Sequence, residues 1–169
     1  MKLSNTLEEC ADLERRIAGF YEQFASLWSE QREVAEMWQA MAAEERGHAA
    51  ALEELASHLA PSRRRGYVDR EAIAQLRGYV TGTGRIVGTI SLDEAFRIAL
   101  DLESFELHQV YLQVIELARQ EPTLPARALA ECLARLGPHE APLLALIEGL
   151  AEEEELRERA SQLRRELRF

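Results

Sequence analysis

Glu14, Glu45, His48, Glu103, Glu106 and Glu140 stand where a helical core is ordinarily apolar. Glu45-x-x-His48 and Glu103-x-x-Glu106 each put two donor groups one turn apart on a single helix face. Carboxylate oxygens with an imidazole suit iron or manganese, and a set without thiolates makes structural zinc the poorer fit. An ionised carboxylate in a dry interior costs several kcal/mol even after relaxation. A whole domain is stable by only about 5–15 kcal/mol. Five uncompensated acids would therefore unfold the chain, and His48 is the only basic group on these registers. One metal ion neutralises several carboxylates at once. A layer of protonated, hydrogen-bonded acids without metal is the competing reading.

The positions read as interior because apolar residues alternating three and four apart mark the packed face of a helix. Leu7, Cys10, Glu14, Ile17, Tyr21, Phe24 and Trp28 form one such seam. Val34, Trp38, Met41, Glu45, His48, Leu52, Leu55 and Leu59 form the second. The third is Leu92, Phe96, Ala99, Glu103, Glu106, Val110 and Leu117, and the fourth Leu129, Leu133, Leu136, Glu140, Leu143, Ile147 and Leu150. Each is interrupted near its middle. Tyr21, one step beyond Ile17, is a catalytic candidate whose hydroxyl would bond a ligand or bridge; the alternative is a core aromatic with a satisfied hydroxyl. His58, His108 and His139 fall off the seams and read as surface residues.

Four long helices must carry these seams. Thr6 with Glu9 forms a capping box that opens the first, which runs to about Trp28. After a turn around Ser29, the second extends from about Glu30 to Leu59 and stops at Pro61. Residues 61–90 are punctuated by Gly66, Gly78, Gly82, Gly84 and Gly88, and read as a long crossover with one short helical piece near Asp69 to Arg77. Ser91 and Glu94 form a second capping box, opening a helix that reaches about Arg119. The fourth begins near Thr123 and Pro125, with a kink or restart expected at Gly137-Pro138, beside Glu140. The charged tail, 151–169, reads as a solvated terminal helix or a dimer contact. The expected fold is all-α: one domain over 1–169, a four-helix bundle of two antiparallel hairpins.

Composition excludes several functions. A net charge of −10 and a pI near 5.0 argue against a nucleic-acid partner, which needs a basic face. Arg63, Arg64 and Arg65 follow Pro61 in the crossover and are most simply solvated. No stretch approaches the roughly 20 apolar residues that span a bilayer, so no membrane role is expected, and the N-terminus shows no signal-peptide pattern, which implies a cytoplasmic protein. Cys10 and Cys132 are isolated and form no disulfide framework. Gly82-Thr83-Gly84 lacks the preceding strand and following Lys-Ser/Thr of a phosphate loop and reads as a flexible connector.

At these residues the chain resembles the rubrerythrin branch of the ferritin-like superfamily. Ala11-Asp12-Leu13-Glu14 through Phe20-Tyr21, and Met41-Ala42-Ala43-Glu44-Glu45-Arg46-Gly47-His48, follow that family's Glu and Glu-Glu-x-x-His signatures. The resemblance implies a di-iron centre inside the bundle. Glu14 and His48 would be terminal ligands, Glu45 a bridging carboxylate, and Glu103 with Glu106 the third helix's pair. The second hairpin departs from the pattern: Gly137 and Glu140 stand where the family has Glu-x-x-His, which puts a symmetric two-metal site in question. Two cysteines cannot supply the four-cysteine rubredoxin-like site of many relatives, so redox cycling would need an external electron donor.

Three functions fit. The first is a ferritin-like protein holding one or two iron ions, with manganese or zinc as alternatives, that reduces peroxide or oxidises ferrous iron with peroxide or oxygen. The second is a non-catalytic metal-binding module whose fourth helix has lost turnover. The third is a metal-free structural or interaction bundle. A homodimer is what the resemblance implies for assembly.

Overall fold

The computed structural model describes residues 3–59, 70–83, 90–106, 112–122, 124–136 and 140–166. The side chains of 70–72, 104–106, 112–113 and 166 lie outside that description. Every regular element among the described residues is helical: α1 (Leu3–Leu27), α2 (Arg32–Ser57), α3 (Arg70–Thr83), α4 (Leu92–Glu106), α5 (Leu112–Arg119), α6 (Ala126–Arg135), α7 (Ala141–Leu150) and α8 (Glu154–Glu166). None is long and apolar enough to cross a membrane. The architecture is the all-α, ferritin-like helical bundle that the seams predict.

α1 and α2 form the hairpin around which the rest packs. The turn closes where Gln31 N–H donates to the Trp28 carbonyl at 2.9 Å. Two surface ion pairs give the direction of packing: Arg15 meets Glu53, and seven residues further along α1 Glu22 meets Arg46, seven residues earlier on α2. The helices are therefore antiparallel. Both seams face inward as expected, with only Trp28 and Leu59 partly exposed at their ends.

The Thr6–Glu9 capping box does not form. α1 is already helical at Leu3, and Thr6 is fully buried inside it. Leu3 extends the stripe of Leu7 and Cys10 by one turn, and burying it draws the helix past the expected cap. Glu9 instead pairs with Arg77 of α3. The Ser91–Glu94 box forms as expected: Ser91 N–H donates to Glu94 Oε2 at 2.7 Å and Glu94 N–H to Ser91 Oγ at 3.1 Å.

The crossover holds more structure than its glycines suggest. α3 runs through Gly78 and Gly82 to Thr83, so Gly82-Thr83 belongs to a helix and not to a flexible connector, while Gly84 lies outside the described residues. Each helical glycine costs about 1 kcal/mol relative to alanine. The stripe of Ile73, Leu76 and Val80, all buried, offsets that cost by packing against the hairpin and α4.

The third seam is described as α4 and α5, and its continuity through 107–111, including Val110 and His108, lies outside the described residues. The fourth is interrupted where expected: α6 stops at Arg135 and α7 starts at Ala141. Gly137, Pro138 and His139 lie outside the described residues. Pro142 sits in the first turn of α7, where its missing N–H breaks no helical bond. Leu150, expected inside, is 44% exposed because α7 ends there and the chain turns toward α8.

The tail is not a solvated helix. Leu156 and Ala160 of α8 are buried, and α8 packs on α7 and α4. Asp93, in the first turn of α4, accepts the backbone N–H of Glu152 at 3.1 Å and of Glu153 at 2.8 Å, just before α8 begins. Arg159 bonds Asp101 at 2.7 Å, and Asp101 also accepts the Tyr79 hydroxyl at 2.9 Å. Burial, reinforced by that carboxylate, pushes the Tyr79 phenol far above its ordinary pKa.

Candidate metal centre

Glu14 enters the interior from α1 between Cys10 and Ile17, and Glu45 and His48 enter from α2 between Met41 and Leu52. All three are at most 1% exposed. One donor atom from each lies within 4.8 Å of the others, close enough for all three to serve as ligands of a shared cation. His48 Nδ1 is 3.0 Å from Glu45 Oε2, so the carboxylate also fixes the imidazole ring.

Glu103 and Glu140 are also buried, at 3% and 4% exposure, but lie outside that three-residue cluster. Glu103 Oε1 accepts a 2.8 Å hydrogen bond from the Tyr21 hydroxyl, which joins α4 to α1 across the interior. The Tyr21 hydroxyl is thus committed to another candidate residue. Glu140 occupies the residue before α7 without capping that helix through its side chain. Glu106 falls in the last turn of α4, and its side chain lies outside the described residues.

The charge balance is lopsided. No lysine or arginine is buried among the described residues, whereas Glu14, Glu45, Glu103 and Glu140 are. Arg15 and Arg46 turn outward to Glu53 and Glu22. Buried Asp93 accepts the backbone N–H groups of Glu152 and Glu153. Two carboxylates and an imidazole converging from facing helices in a buried interior fit a di- or trivalent cation with oxygen and nitrogen ligands.

One participant was not apparent from the sequence beyond its seam position. Trp38 stacks on Tyr21 with ring centroids 5.5 Å apart and 22° between planes. It is fully buried, and its indole N–H has no hydrogen-bond partner among the described residues. A tryptophan on a fully packed register is the one signal that could have marked it, since a buried indole N–H usually finds a partner. His58 is exposed, as expected.

Searches of curated proteins and of solved structures gave no match for this chain. A rubrerythrin family model matches residues 5–136, a span that runs from within α1 to the end of α6 and hence takes in Glu14, Glu45, His48 and Glu103. With that match over most of its length, and with the Glu and Glu-x-x-His residues of the hairpin gathered in its interior, the chain belongs to the rubrerythrin family.

Proposed function

We propose that the protein binds iron through Glu14, Glu45 and His48, with Glu103, Glu106 and Glu140 completing the ligand set, and that it acts on peroxide or ferrous iron. The observation that carries this reading is the convergence of two carboxylates and an imidazole, all buried, with donor atoms within 4.8 Å. Bound iron would supply one-electron redox chemistry and a site for an oxygen-containing ligand. The chain's own contribution is positional. Glu45 orients the His48 ring, the Tyr21 hydroxyl holds one oxygen of Glu103, and Trp38, Phe96 and Phe24 exclude water on one side. Tyr21 is then a positioning residue, acting through Glu103.

The reading includes one or two ions per chain, peroxide, oxygen or ferrous iron as small-molecule partners, an external electron donor, a homodimer and a cytoplasmic setting. Family membership supports the small-molecule partners. The two buried cysteines, neither in a disulfide, suit a reducing compartment. A non-catalytic metal-binding module is the second reading, favoured by Glu140 standing where the family's histidine is expected.

Anaerobic loading with ferrous iron followed by elemental analysis tests the metal. At least one equivalent per chain is expected in the wild type and under about 0.2 in Glu45→Ala, because removing a charged ligand leaves the remaining donors with less than the site needs. A wild-type value already below that level, unchanged by the substitution, would remove the metal readings. Parallel loading with manganese and zinc identifies the preferred ion. Peroxide consumption with a reductant then separates turnover from storage.

A further inference from the structure

Trp28, Phe24, Trp38 and Tyr21 make ring-to-ring contact in that order, starting at the partly exposed turn after α1 and ending at the hydroxyl that holds Glu103. We propose that this aromatic file is the electron-entry route, by which a one-electron donor at the α1–α2 turn reduces the buried centre. It rests on the metal reading above for its terminus, though not for its test.

The centroid separations are 6.1 Å from Trp28 to Phe24, 5.1 Å from Phe24 to Trp38 and 5.5 Å from Trp38 to Tyr21. Tyrosine and tryptophan lose single electrons far more readily than phenylalanine. The steps are therefore Tyr21, Trp38 and Trp28, with Phe24 bridging the two indoles. The polar surroundings of the three differ in a way that suits transfer. Tyr21 has a proton acceptor in place, Glu103 Oε1 at 2.8 Å. Trp38 has none among the described residues, so its one-electron-oxidised form keeps its proton and passes the oxidising equivalent on instead of trapping it. Trp28 reaches the surface beside Leu27, which is 50% exposed, and this apolar edge is where a donor can approach.

The steps balance. An oxidising equivalent at the acid cluster takes one electron from Tyr21 while the phenol proton crosses to Glu103. Tyr21 recovers an electron from Trp38 and its proton from Glu103, and Trp38 is refilled from Trp28. Trp28 releases its indole proton to water and is restored by a hydrogen atom from a thiol or ascorbate-class reductant, which leaves as the oxidised product.

Flash-quench of the metal-free full-length protein with photo-oxidised ruthenium tris-bipyridine tests the file without any metal, because it drives the oxidising equivalent inward from Trp28. Freeze-quenched electron paramagnetic resonance is expected to show a tyrosyl radical in the wild type. That signal is expected to vanish in Tyr21→Phe and in Trp28→Phe, and to be replaced by a tryptophanyl signal at the surface in Trp38→Phe. Wild-type radical yield in both tryptophan variants, or in Tyr21→Phe, overturns the proposal. Trp28→Phe changes a partly exposed turn residue, so it remains informative even if a core variant unfolds. A positive flash result in a protein that fails to bind iron would keep the file and discard the metal reading.

Discussion

Tyr21 and Glu103 restrain each other, and the restraint has a measurable size. Removing the hydroxyl takes a donor away from a buried carboxylate, so Tyr21→Phe is predicted to lower metal-free stability by about 1–3 kcal/mol in urea denaturation. Iron loaded per chain is expected to change much less than in Glu45→Ala. The ligands must shed protons to bind metal, so affinity is predicted to fall steadily as pH drops below neutrality, which equilibrium dialysis across a pH series would read. Glu14, Glu45 and His48 were legible in the sequence because position on a seam is a property of one helix at a time. The Tyr21–Glu103 bond and the stacking of Trp38 were not, because each relates residues on different helices whose mutual rotation no single periodicity fixes.

The two capping boxes show the same limit in helix ends. Ser91 and Glu94 satisfy each other's backbone N–H groups, whereas Thr6 and Glu9, an equivalent hydroxyl and carboxyl at the same spacing, do not. Leu3 lies one turn before Thr6 and continues the apolar stripe, so packing lengthened the helix over its expected start. A local motif is overruled when a core contact lies just beyond it. Ser91→Ala is predicted to cost about 0.5–2 kcal/mol by thermal or urea denaturation. The Ser91 N–H and hydroxyl hold the Glu94 carboxyl below its usual pKa. A depressed folded-state pKa means this contribution is present above the ordinary value of 4.5 and is lost as pH falls below it. Glu94→Gln should therefore flatten the acid limb of the stability curve. The interruption between α6 and α7 was legible too, because proline chemistry acts on the backbone directly. The length of α3 was not, since its glycines hid the Ile73, Leu76 and Val80 stripe.

With a net charge of −10, the protein keeps the described arginine ion pairs at exposed or partly exposed positions, where each contributes little, and its stability comes from the apolar core around the buried acids. Cys132 belongs to that core, and burial pushes its thiol up to about 11 from an ordinary 9.0. Because the folded thiol keeps a proton that the unfolded one releases, stability from this group is full below about pH 9 and declines as pH climbs toward about 11. The denaturation midpoint is predicted to fall across that window more steeply in the wild type than in Cys132→Ala. At neutral pH, alkylation of Cys132 should track global unfolding. The clasp between Asp93 and the start of α8 carries a further consequence. The family match ends at residue 136, yet an aspartate inside it depends on amides at 152 and 153. A chain trimmed to the matched segment would strand that side chain and strip away α7 and α8, which carry Leu143, Ile147 and Leu156 of the core. Such a fragment is predicted to elute from a sizing column as aggregate, so the recognisable part of this protein is not the part that stands alone.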